Sequence, residues 1–349
     1  MRIALDATPL SAAGAGGIRR YTAELARALA RGFPEDDFWL VSDQAFPCVA
    51  GSLSNLHCGG APQTALDRRW WSFGLRRELG RLSADCFHGT DFSAPYRVHC
   101  PAVVTVHDLS PWREPFTADT SWRVRQRAGM LLRARVPVMV LTPSNAVRSE
   151  FLERFRYPPD RVVVTPLAAS DVFRPVKTAT ERRSFIYVGA SNRRRNPDVI
   201  IDAWREVRRT HDVDLVLAGR GRDPEPGLVV VPDENDEALA RRYSSAAACL
   251  VPSLYEGFGL PLLEAMQCGC PVIASRDAAL MEVSGGAAEH VEAGDAGGWR
   301  AAMDRVLTDA SFSRAMQTRG LARAALFSWE RTATLTREVY AEAVRRWRR

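Results

Sequence analysis

Short apolar runs alternate with amphipathic helical stretches along the first half of the chain. The first run, "RIALDA" (2–7), is followed by a glycine-containing loop, "SAAGAGG" (11–17), and by apolar residues at helical spacing from 18 to 31. This order predicts the opening of a βαβ unit. Because strands and helices keep alternating, we predict a parallel sheet covered by helices on both faces. The further strands of this sheet are predicted at 38–42, 85–88, 102–107 and 138–144.

The same alternation begins again after a polar stretch at 171–184 that contains a proline and has no periodicity. The tail from 296 onward keeps its apolar side chains at helical spacing. We therefore predict two α/β domains, over 1–176 and 177–326, and a C-terminal helix over 327–349. Buried parallel strands of the second domain are predicted at 185–190, 214–219, 228–232, 248–253 and 271–275.

Length and composition agree with a folded protein of two domains. The 349 residues exceed one ordinary core, and 46% apolar and 25% charged residues are normal for a globular chain. The N-terminal segment does not have the pattern of a secretory signal, and no window approaches 18 uninterrupted apolar residues, so we expect a cytoplasmic protein. The seven cysteines are odd in number and have no metal-binding spacing, which favours buried free thiols over disulfides or zinc.

The excess of positive charge lies in the first half of the chain. Residues 1–177 carry 23 basic and 17 acidic side chains, whereas 178–349 carry 24 of each. A basic half can face nucleic acid, an anionic membrane or a phosphorylated substrate. The stretch 67–82 interleaves arginines with apolar residues, which fits either a helix on a membrane surface or a core-facing helix with a charged outer face. Nucleic acid is the weaker interpretation, because no recognition motif accompanies the charge.

The stretch "SLYEGFGLPLLEAMQCGCPVIAS" (253–275) places Glu256 and Glu264 around a turn that leads into a helix. Pro261 suits the first position of that helix, and the amides before it remain available for phosphate or sugar hydroxyls. These amides belong to Gly257, Phe258, Gly259 and Leu260. In the alternative interpretation, Glu264 only complements the helix dipole and Glu256 is an exposed loop acid.

The same stretch resembles the E-x7-E motif of the retaining GT-B glycosyltransferases, in particular family 4, which includes bacterial cell-surface polysaccharide mannosyltransferases. Glu256 and Glu264 match its two acids. Six further segments resemble the family in the expected order: "GGIRRYTAELARAL" (16–29), "VVTVHDLSPWREP" (103–115), "LTPSNAVRSEF" (141–151), "VVVTPLAASDVFRP" (162–175), "FIYVGASNRRRNPDVIIDAW" (185–204) and "FSWERTA" (327–333).

The resemblance implies a GT-B architecture of two Rossmann-like, doubly wound parallel-sheet domains that face a central cleft. The first domain would bind the acceptor and the second the nucleotide sugar, and the C-terminal helix would pack back on the first. Glu256 would then face the donor sugar hydroxyls and Glu264 the ribose.

Arg194 and Arg195 follow the predicted strand at 185–190 and precede Asn196, which we also expect to bind the donor. The family usually has Arg-Lys before an asparagine here. An arginine at 195 keeps the positive charge but replaces the compact ammonium of lysine with a planar, forked guanidinium. Two cations at this place can neutralise a departing diphosphate. In the alternative, the arginine run is solvated and caps a helix.

His107 follows a buried strand and precedes Asp108. A lone histidine in such a place is often a packing or turn residue, but its segment matches the family's histidine near the reacting sugar. Asp108 either orients His107 or caps the turn. Gly16 and Gly17, between strand and helix, would let donor phosphates or the acceptor approach the backbone closely.

No cofactor and no metal ion is expected. The "DVD" at 212–214 has the spelling of a metal-binding motif but opens a strand, whose amino end lies away from the ligand edge of such a sheet. We expect a metal-independent, retaining transfer of a hexose, with GDP-mannose as donor by resemblance, to a saccharide or lipid-linked saccharide. The first domain would contact the inner face of the membrane peripherally. The alternatives are a UDP-sugar transferase, an epimerase or phosphorylase of similar shape, and a nucleic-acid-binding protein.

Overall fold

The structure is a computed structural model. It describes residues 1–11, 16–59, 62, 64, 67, 69–96, 99–119, 121–177, 184–189, 193–219, 221–231 and 234–348. Most of the predicted glycine loop (12–15), part of the polar stretch (178–183) and the end of the predicted strand at 185–190 lie outside the described residues. Two compact units are found, one of Met1–Leu167 with Trp329–Arg349 and one of Ala168–Ser328.

The first unit contains a seven-stranded, all-parallel sheet with the strand order β3-β2-β1-β4-β5-β6-β7. The central strands are short apolar runs that are buried on both faces, as the pattern predicts. Its strands are β1 (Arg2–Asp6), β2 (Asp37–Val41), β3 (Leu56–Cys58), β4 (Cys86–Gly89), β5 (Ala102–Thr105), β6 (Met139–Thr142) and β7 (Val162–Val164).

The second unit contains a six-stranded parallel sheet in the order β10-β9-β8-β11-β12-β13. Both sheets are doubly wound, since the strand order reverses direction once in each, so the predicted Rossmann-like fold of both halves is confirmed. The strands of the second sheet are β8 (Ser184–Val188), β9 (Asp214–Ala218), β10 (Leu228–Val231), β11 (Ala248–Val251), β12 (Val272–Ser275) and β13 (Glu289–Val291).

Helices of the first unit cover its sheet with their apolar faces. The last helix of the chain belongs to this unit and contributes buried Val339, Tyr340 and Ala343 to it. A π-helical turn at Trp70–Gly74 precedes the third helix. The helices are α1 (Thr8–Ser11), α2 (Gly17–Gly32), α3 (Leu75–Leu82), α4 (Trp122–Arg133), α5 (Asn145–Phe155) and α12 (Trp329–Trp347).

Helices of the second unit enclose a core that includes Phe185, Trp204 and Trp299. Most begin at polar caps, such as Asn235 and Asp277, whose side chains accept backbone hydrogen bonds. They are α6 (Pro197–Arg208), α7 (Asp236–Ser245), α8 (Leu260–Gln267), α9 (Ala278–Ser284), α10 (Ala296–Thr308) and α11 (Ala310–Ala324).

The prediction of free thiols is wrong for two cysteines. Cys48 and Cys58 form a disulfide with a Cα–Cα distance of 5.8 Å, because the loop after β2 returns to the end of β3. Cys86, Cys100, Cys249, Cys268 and Cys270 are free and buried, as predicted. None of the described helices combines the length and the apolar character needed to cross a membrane.

Candidate active site

The predicted donor-binding segments follow two neighbouring strands of the second sheet. β8 and β11 pair through Ile186 and Cys249, and the strand order reverses between them. Ligands of doubly wound sheets bind at the carboxyl ends of the strands at such a reversal. Arg194 and Arg195 follow β8, and the turn that carries Glu256 follows β11. The fold therefore brings these residues together at the ligand-binding edge of this sheet.

Glu256 forms ion pairs with both arginines. Its Oε1 accepts a hydrogen bond from Nη1 of Arg195, and its Oε2 lies 3.6 Å from Nη1 of Arg194. The guanidinium of Arg194 also donates to the carbonyl oxygen of Tyr255 at 3.3 Å. The side chain of Glu256 is 5% exposed, whereas those of Arg194 and Arg195 are 17% and 22% exposed. A buried carboxylate therefore orients two cations that reach solvent, and the interpretation of Glu256 as an exposed loop acid is wrong.

Two residues that sequence reasoning missed hold Glu256 in place. The hydroxyl of Ser253 donates to Oε1 of Glu256 at 2.8 Å, and the backbone N–H of Glu256 donates to Oδ2 of Asp277 at 3.3 Å. Asp277 also caps α9 by accepting from the amides of Ala279 and Leu280 at 3.0 and 3.1 Å. Burial raises the pKa of Asp277. Ser253 and Asp277 each follow a strand, β11 and β12 respectively, and this position was the only sequence signal for these two supports.

The turn after Glu256 delivers backbone amides at the start of α8. Gly259 adopts a left-handed conformation with φ 95°, and a Cβ atom there would overlap with Cδ2 of Leu280. The helix begins at Leu260, one residue before the predicted start at Pro261. Within the described part of the chain, the amides of Phe258, Gly259 and Leu260 have no acceptor. The helix start thus presents donors and a partial positive charge.

Glu264 lies in the second turn of α8 and is 1% exposed. The hydroxyl of Tyr243, which is itself buried, donates to Oε2 of Glu264 at 3.4 Å. A carboxylate costs free energy when it is buried, so Glu264 is not a surface residue that only complements the helix dipole.

Asn196 joins the arginine loop to the strands beside it. Its backbone is left-handed, with φ 52°, and caps α6. Its side-chain amide donates to the carbonyl oxygens of Ala293, at 2.8 Å, and Pro252, at 3.3 Å. These two hydrogen bonds fix the end of the arginine loop, and contact of Asn196 with the donor stays a prediction.

His107 belongs to the first unit and is held by the segment after β4. Its Nε2 lies 2.8 Å from the carbonyl oxygen of Thr90, which can only accept, so Nε2 carries the proton. Burial lowers the pKa of His107, which keeps the ring neutral at pH 7. The ring meets Tyr21 edge to face, with 4.6 Å between centroids. Asp108 caps the next turn by accepting from the amide and hydroxyl of Ser110 at 2.8 and 2.6 Å.

Two aspartates at the strand-order reversal of the first sheet were not recognised in the sequence. Asp6 ends β1 and Asp91 follows β4, its neighbour. Burial raises the pKa of Asp6 to about 6, and burial together with the charges of Asp6 and Asp108 raises the pKa of Asp91 to about 8. Oδ1 of Asp91 is inaccessible and has no hydrogen-bond partner in the described structure. This pair therefore retains a proton at neutral pH. The position of an aspartate at or just after the carboxyl end of each strand was the available sequence signal.

Gly16 and Gly17 lie at the start of α2, one turn before Tyr21. Gly16 is extended, with φ −118°, and among the described residues a Cβ atom on it would meet nothing within 4 Å. Close approach of a donor phosphate or acceptor to Gly16 and Gly17 stays a prediction. These glycines and His107 belong to the first unit, whereas the arginines and both glutamates belong to the second.

Among the described residues, no group of three or more His, Cys, Asp or Glu side chains is arranged to hold a metal ion. Asp214 of the "DVD" sequence begins β9, as predicted, and forms an ion pair with Arg208 at 2.7 Å. The positive charges found beside Glu256 are those of Arg194 and Arg195.

Two family models together match most of the chain. Residues 15–171 match the model of glycosyltransferase family 4, and residues 182–309 match that of the glycosyl transferases group 1. The chain is 33% identical over 286 residues to O-antigen chain mannosyltransferase B of Escherichia coli, and 73% of each protein is covered. The chain belongs to the family 4 glycosyltransferases. The resemblance predicted from the motifs is thus confirmed.

A second relative of this glycosyltransferase supports the same assignment, and two solved structures share its fold. It is 30% identical over 284 residues to the MMP alpha-(1->4)-mannosyltransferase of Mycolicibacterium hassiacum, covering 74% of this chain and 69% of the relative. The structure superposes on sucrose-phosphate synthase from Thermosynechococcus elongatus with a TM-score of 0.75, at 22% identity and 98% coverage of both chains. It superposes on WaaG, a glycosyltransferase involved in lipopolysaccharide biosynthesis, with a TM-score of 0.70, at 14% identity and coverage of 99% and 98%. The predicted GT-B fold class, with two Rossmann-like, doubly wound parallel-sheet domains, is confirmed.

Proposed function

We propose that this glycosyltransferase moves a mannosyl group from GDP-mannose to a hydroxyl of a saccharide or lipid-linked saccharide during synthesis of a cell-surface polysaccharide. Two relatives that carry mannosyltransferase in their names, one of them an O-antigen enzyme, support the sugar and the pathway class. The observation that carries the proposal is the pair of arginines oriented by buried Glu256 at the end of β8 and β11.

This arrangement suits a departing diphosphate. Arg194, Arg195 and Glu256 together carry one net positive charge, since two cations surround one anion. A guanidinium forms strong, directional hydrogen bonds with phosphate oxygens, and the amides at the start of α8 add further donors. Hydrogen-bond donors that are already in place therefore stabilise the negative charge that develops on the leaving group. The reaction as proposed needs no metal ion, because the chain's own cations perform this task.

The chemistry we propose is a transfer with retention of the anomeric configuration. The bond between the anomeric carbon and the β-phosphate oxygen breaks, and a bond forms from the acceptor oxygen to the same carbon on the same face. The acceptor proton passes to the departing phosphate oxygen, so GDP leaves with that proton. Glu264 would bind the ribose hydroxyls and Glu256 the donor sugar. By resemblance, we assign the acceptor to the first unit and contact with the sugar to His107.

Calorimetric titration with GDP, UDP, ADP and dTDP tests the donor. We expect GDP to bind about tenfold more tightly than the other nucleotides, the factor that one or two base-specific hydrogen bonds supply. Glu264→Gln should weaken GDP binding by about tenfold or more, because a charged acceptor is lost. Glu292→Gln is the matched control, since its side chain is 72% exposed, and it should bind GDP normally. Tighter binding of UDP would contradict the GDP assignment.

Analysis of the products tests the reaction. GDP-mannose incubated with membrane lipid extract should give mannosylated lipid with an α-anomeric NMR signal, and a chelator should not reduce the rate. Mannose 1-phosphate formed with inorganic phosphate would indicate a phosphorylase, and an altered sugar nucleotide would indicate an epimerase. Either result would contradict the proposal.

A further inference from the structure

Helix α4 presents large apolar side chains to solvent although its other face already fills the core. Trp122 is 64% exposed and Met130 is 51% exposed. At 100° per residue, both lie on one side of the helix with Gln126 and Arg133, whereas Leu131 and Leu132 are buried on the other. Burial of the exposed tryptophan would be favourable, and nothing in the described structure covers it.

The charge around these side chains is of one sign. Residues 121–149 contain six arginines and no aspartate or glutamate. Arg123 and Arg133 lie on the exposed side of α4, and in the described structure neither forms an ion pair with a carboxylate. The guanidinium of Arg133 lies over the ring of Phe155, 5.6 Å from its centroid. Unneutralised arginines interleaved with tryptophan and methionine are typical of a helix that lies at an anionic lipid surface.

Aromatic side chains continue this surface beyond the helix. Arg127 donates to the carbonyl oxygen of Ala94, and its guanidinium lies 4.1 Å from the ring centroid of Trp71 and 5.3 Å from that of Tyr96. Tyr96 is 43% exposed. Tyrosine and tryptophan rings favour the region of lipid headgroups, because one end of each is apolar and the other is polar.

The helix that carries this surface begins at the ligand edge of the first sheet. Trp112, in the turn after Asp108, donates its indole N–H to the carbonyl oxygen of Arg125 at 3.3 Å. The start of α4 is thus attached to the segment that holds His107. A membrane bound here would lie beside the edge where we place the acceptor.

The sequence alone did not decide whether the stretch 67–82 is a helix on a membrane surface or a core-facing helix. In the structure it is less suited to membrane binding than α4. Leu75, Leu79 and Leu82 are buried in the core. Arg77 and Arg81 are paired with Asp67 and Glu78 at 2.9 and 2.6 Å. The core-facing interpretation therefore describes the apolar face of α3.

We propose that the α4 outer face, formed by Trp122, Arg123, Gln126, Met130 and Arg133, binds the surface of an anionic lipid bilayer. Trp122 and Met130 enter the region between headgroups and acyl chains, and the arginines contact the lipid phosphates. This proposal specifies which surface of the first unit contacts the membrane. It does not depend on the proposed donor site of the second unit.

Sedimentation of the full chain with vesicles tests the proposal. Vesicles of phosphatidylcholine with 30 mol% phosphatidylglycerol should bind the protein, and vesicles of phosphatidylcholine alone should bind it about tenfold less. Arg123→Gln with Arg133→Gln should reduce binding to anionic vesicles by about fivefold for each arginine. Trp122→Ser with Met130→Ser should reduce it by about tenfold or more.

Trp347→Ser is the matched control, because Trp347 is 45% exposed on α12 and the preceding Arg345 and Arg346 are paired with Glu342 and Asp160. The control should bind vesicles normally, and GDP titration should be unchanged in every variant. Absence of binding to anionic vesicles, or an equal loss in the control, would overturn the proposal. A dimer in sedimentation equilibrium that the α4 variants dissociate would also overturn it, since a second copy would then cover the face. A failure of GDP binding with intact vesicle binding would contradict only the proposed donor.

Discussion

At the scale of single residues, the ion pairs of Glu256 explain why two arginines can remain fixed without a ligand. Each guanidinium has a carboxylate partner that is itself held by Ser253. Because these ion pairs already restrict Arg194 and Arg195, both side chains lose less rotamer entropy on binding phosphate than unrestrained side chains would. The proposed donor site is therefore organised before the donor arrives.

Arg195→Ala should lower the turnover number more than it raises the donor KM, because the charge of Arg195 matters most when the diphosphate departs. The expected loss of turnover is about 100-fold or more. Arg195→Lys, which keeps the charge and loses the fork, should retain part of the activity. Steady-state kinetics with GDP-mannose measures both quantities. Normal turnover in Arg195→Ala would remove this residue from the proposed chemistry.

Asp91 should make the stability of the protein depend on pH. Its pKa is raised to about 8 in the folded state, so the proton is released on unfolding between about pH 4 and pH 8. Stability should therefore fall as the pH rises through this range. Asp91→Asn should remove that decline and stabilise the protein at pH 8.5 by about 1 kcal/mol or more.

Thermal unfolding at pH 5 and pH 8.5 measures this effect of Asp91. Asp160→Asn is the control, because Arg346 lowers the pKa of Asp160 and its titration lies outside the window. An unchanged pH dependence in Asp91→Asn would show that Asp91 is ionised in the folded protein.

At the scale of elements, the turn into α8 depends on one glycine. Gly259→Ala should destabilise the second unit by about 1 to 3 kcal/mol, because the residue would be left-handed and its Cβ would press on Leu280. Binding of GDP should weaken as the amides move. Chemical denaturation and GDP titration measure the two effects. A variant that is as stable as the parent and binds GDP normally would show that the turn tolerates a side chain.

Gly16→Ala is the matched comparison, since Gly16 is extended and has open space around it. The variant should fold as well as the parent protein. If Gly16 contacts a substrate as predicted, the KM of the variant for that substrate should rise. The free energy of unfolding of the variant should be unchanged. Unchanged kinetics would remove Gly16 from the site.

The elements that the sequence predicted well are those in the centres of the sheets. β1, β5, β8 and β11 are apolar runs buried on both faces, so their composition alone distinguishes them. The strands β3, β7 and β13 were not predicted. Each has three residues and lies at a sheet edge, where pairing with one neighbour determines the strand. That pairing comes from the tertiary fold and leaves no periodic signal.

Only the residues of the candidate site that belong to sequence motifs could be predicted. The acids of the E-x7-E motif and the arginine pair follow from the sequence, and the sheet topology places Glu256 beside the arginines. The supports Ser253 and Asp277 could not be chosen from other polar residues, because their contact with Glu256 spans separate loops. The Cys48–Cys58 disulfide was missed for the same reason.

At the scale of the whole molecule, the last helix completes a unit that begins at the first residue. The hydroxyl of Tyr340 in α12 lies 2.7 Å from Nδ1 of His88, and Nε2 of His88 lies 2.8 Å from Oγ1 of Thr105. Thr105 in turn contacts the hydroxyl of Tyr21 at 2.7 Å. Burial lowers the pKa of His88 to about 3, so this chain of hydrogen bonds is neutral. It connects α12 through two strands to the helix that contacts His107.

Tyr340→Phe should destabilise the first unit by about 1 to 3 kcal/mol, because Nδ1 of buried His88 loses its partner. Hydrogen exchange measured by mass spectrometry should show faster exchange in β4 and β5 and unchanged exchange in β8 and β11. Equal acceleration in both units would contradict the assignment of α12 to the first unit alone.

The central claim is that the second unit binds the diphosphate of a nucleotide sugar at Arg194, Arg195 and the start of α8. A crystal structure with GDP tests it most directly. We expect phosphate oxygens within hydrogen-bonding distance of both guanidinium groups and of the amides before Pro261, with the ribose hydroxyls at Glu264. Density for GDP at any other place, with Glu256 still bound to both arginines and α8 unoccupied, would contradict the account.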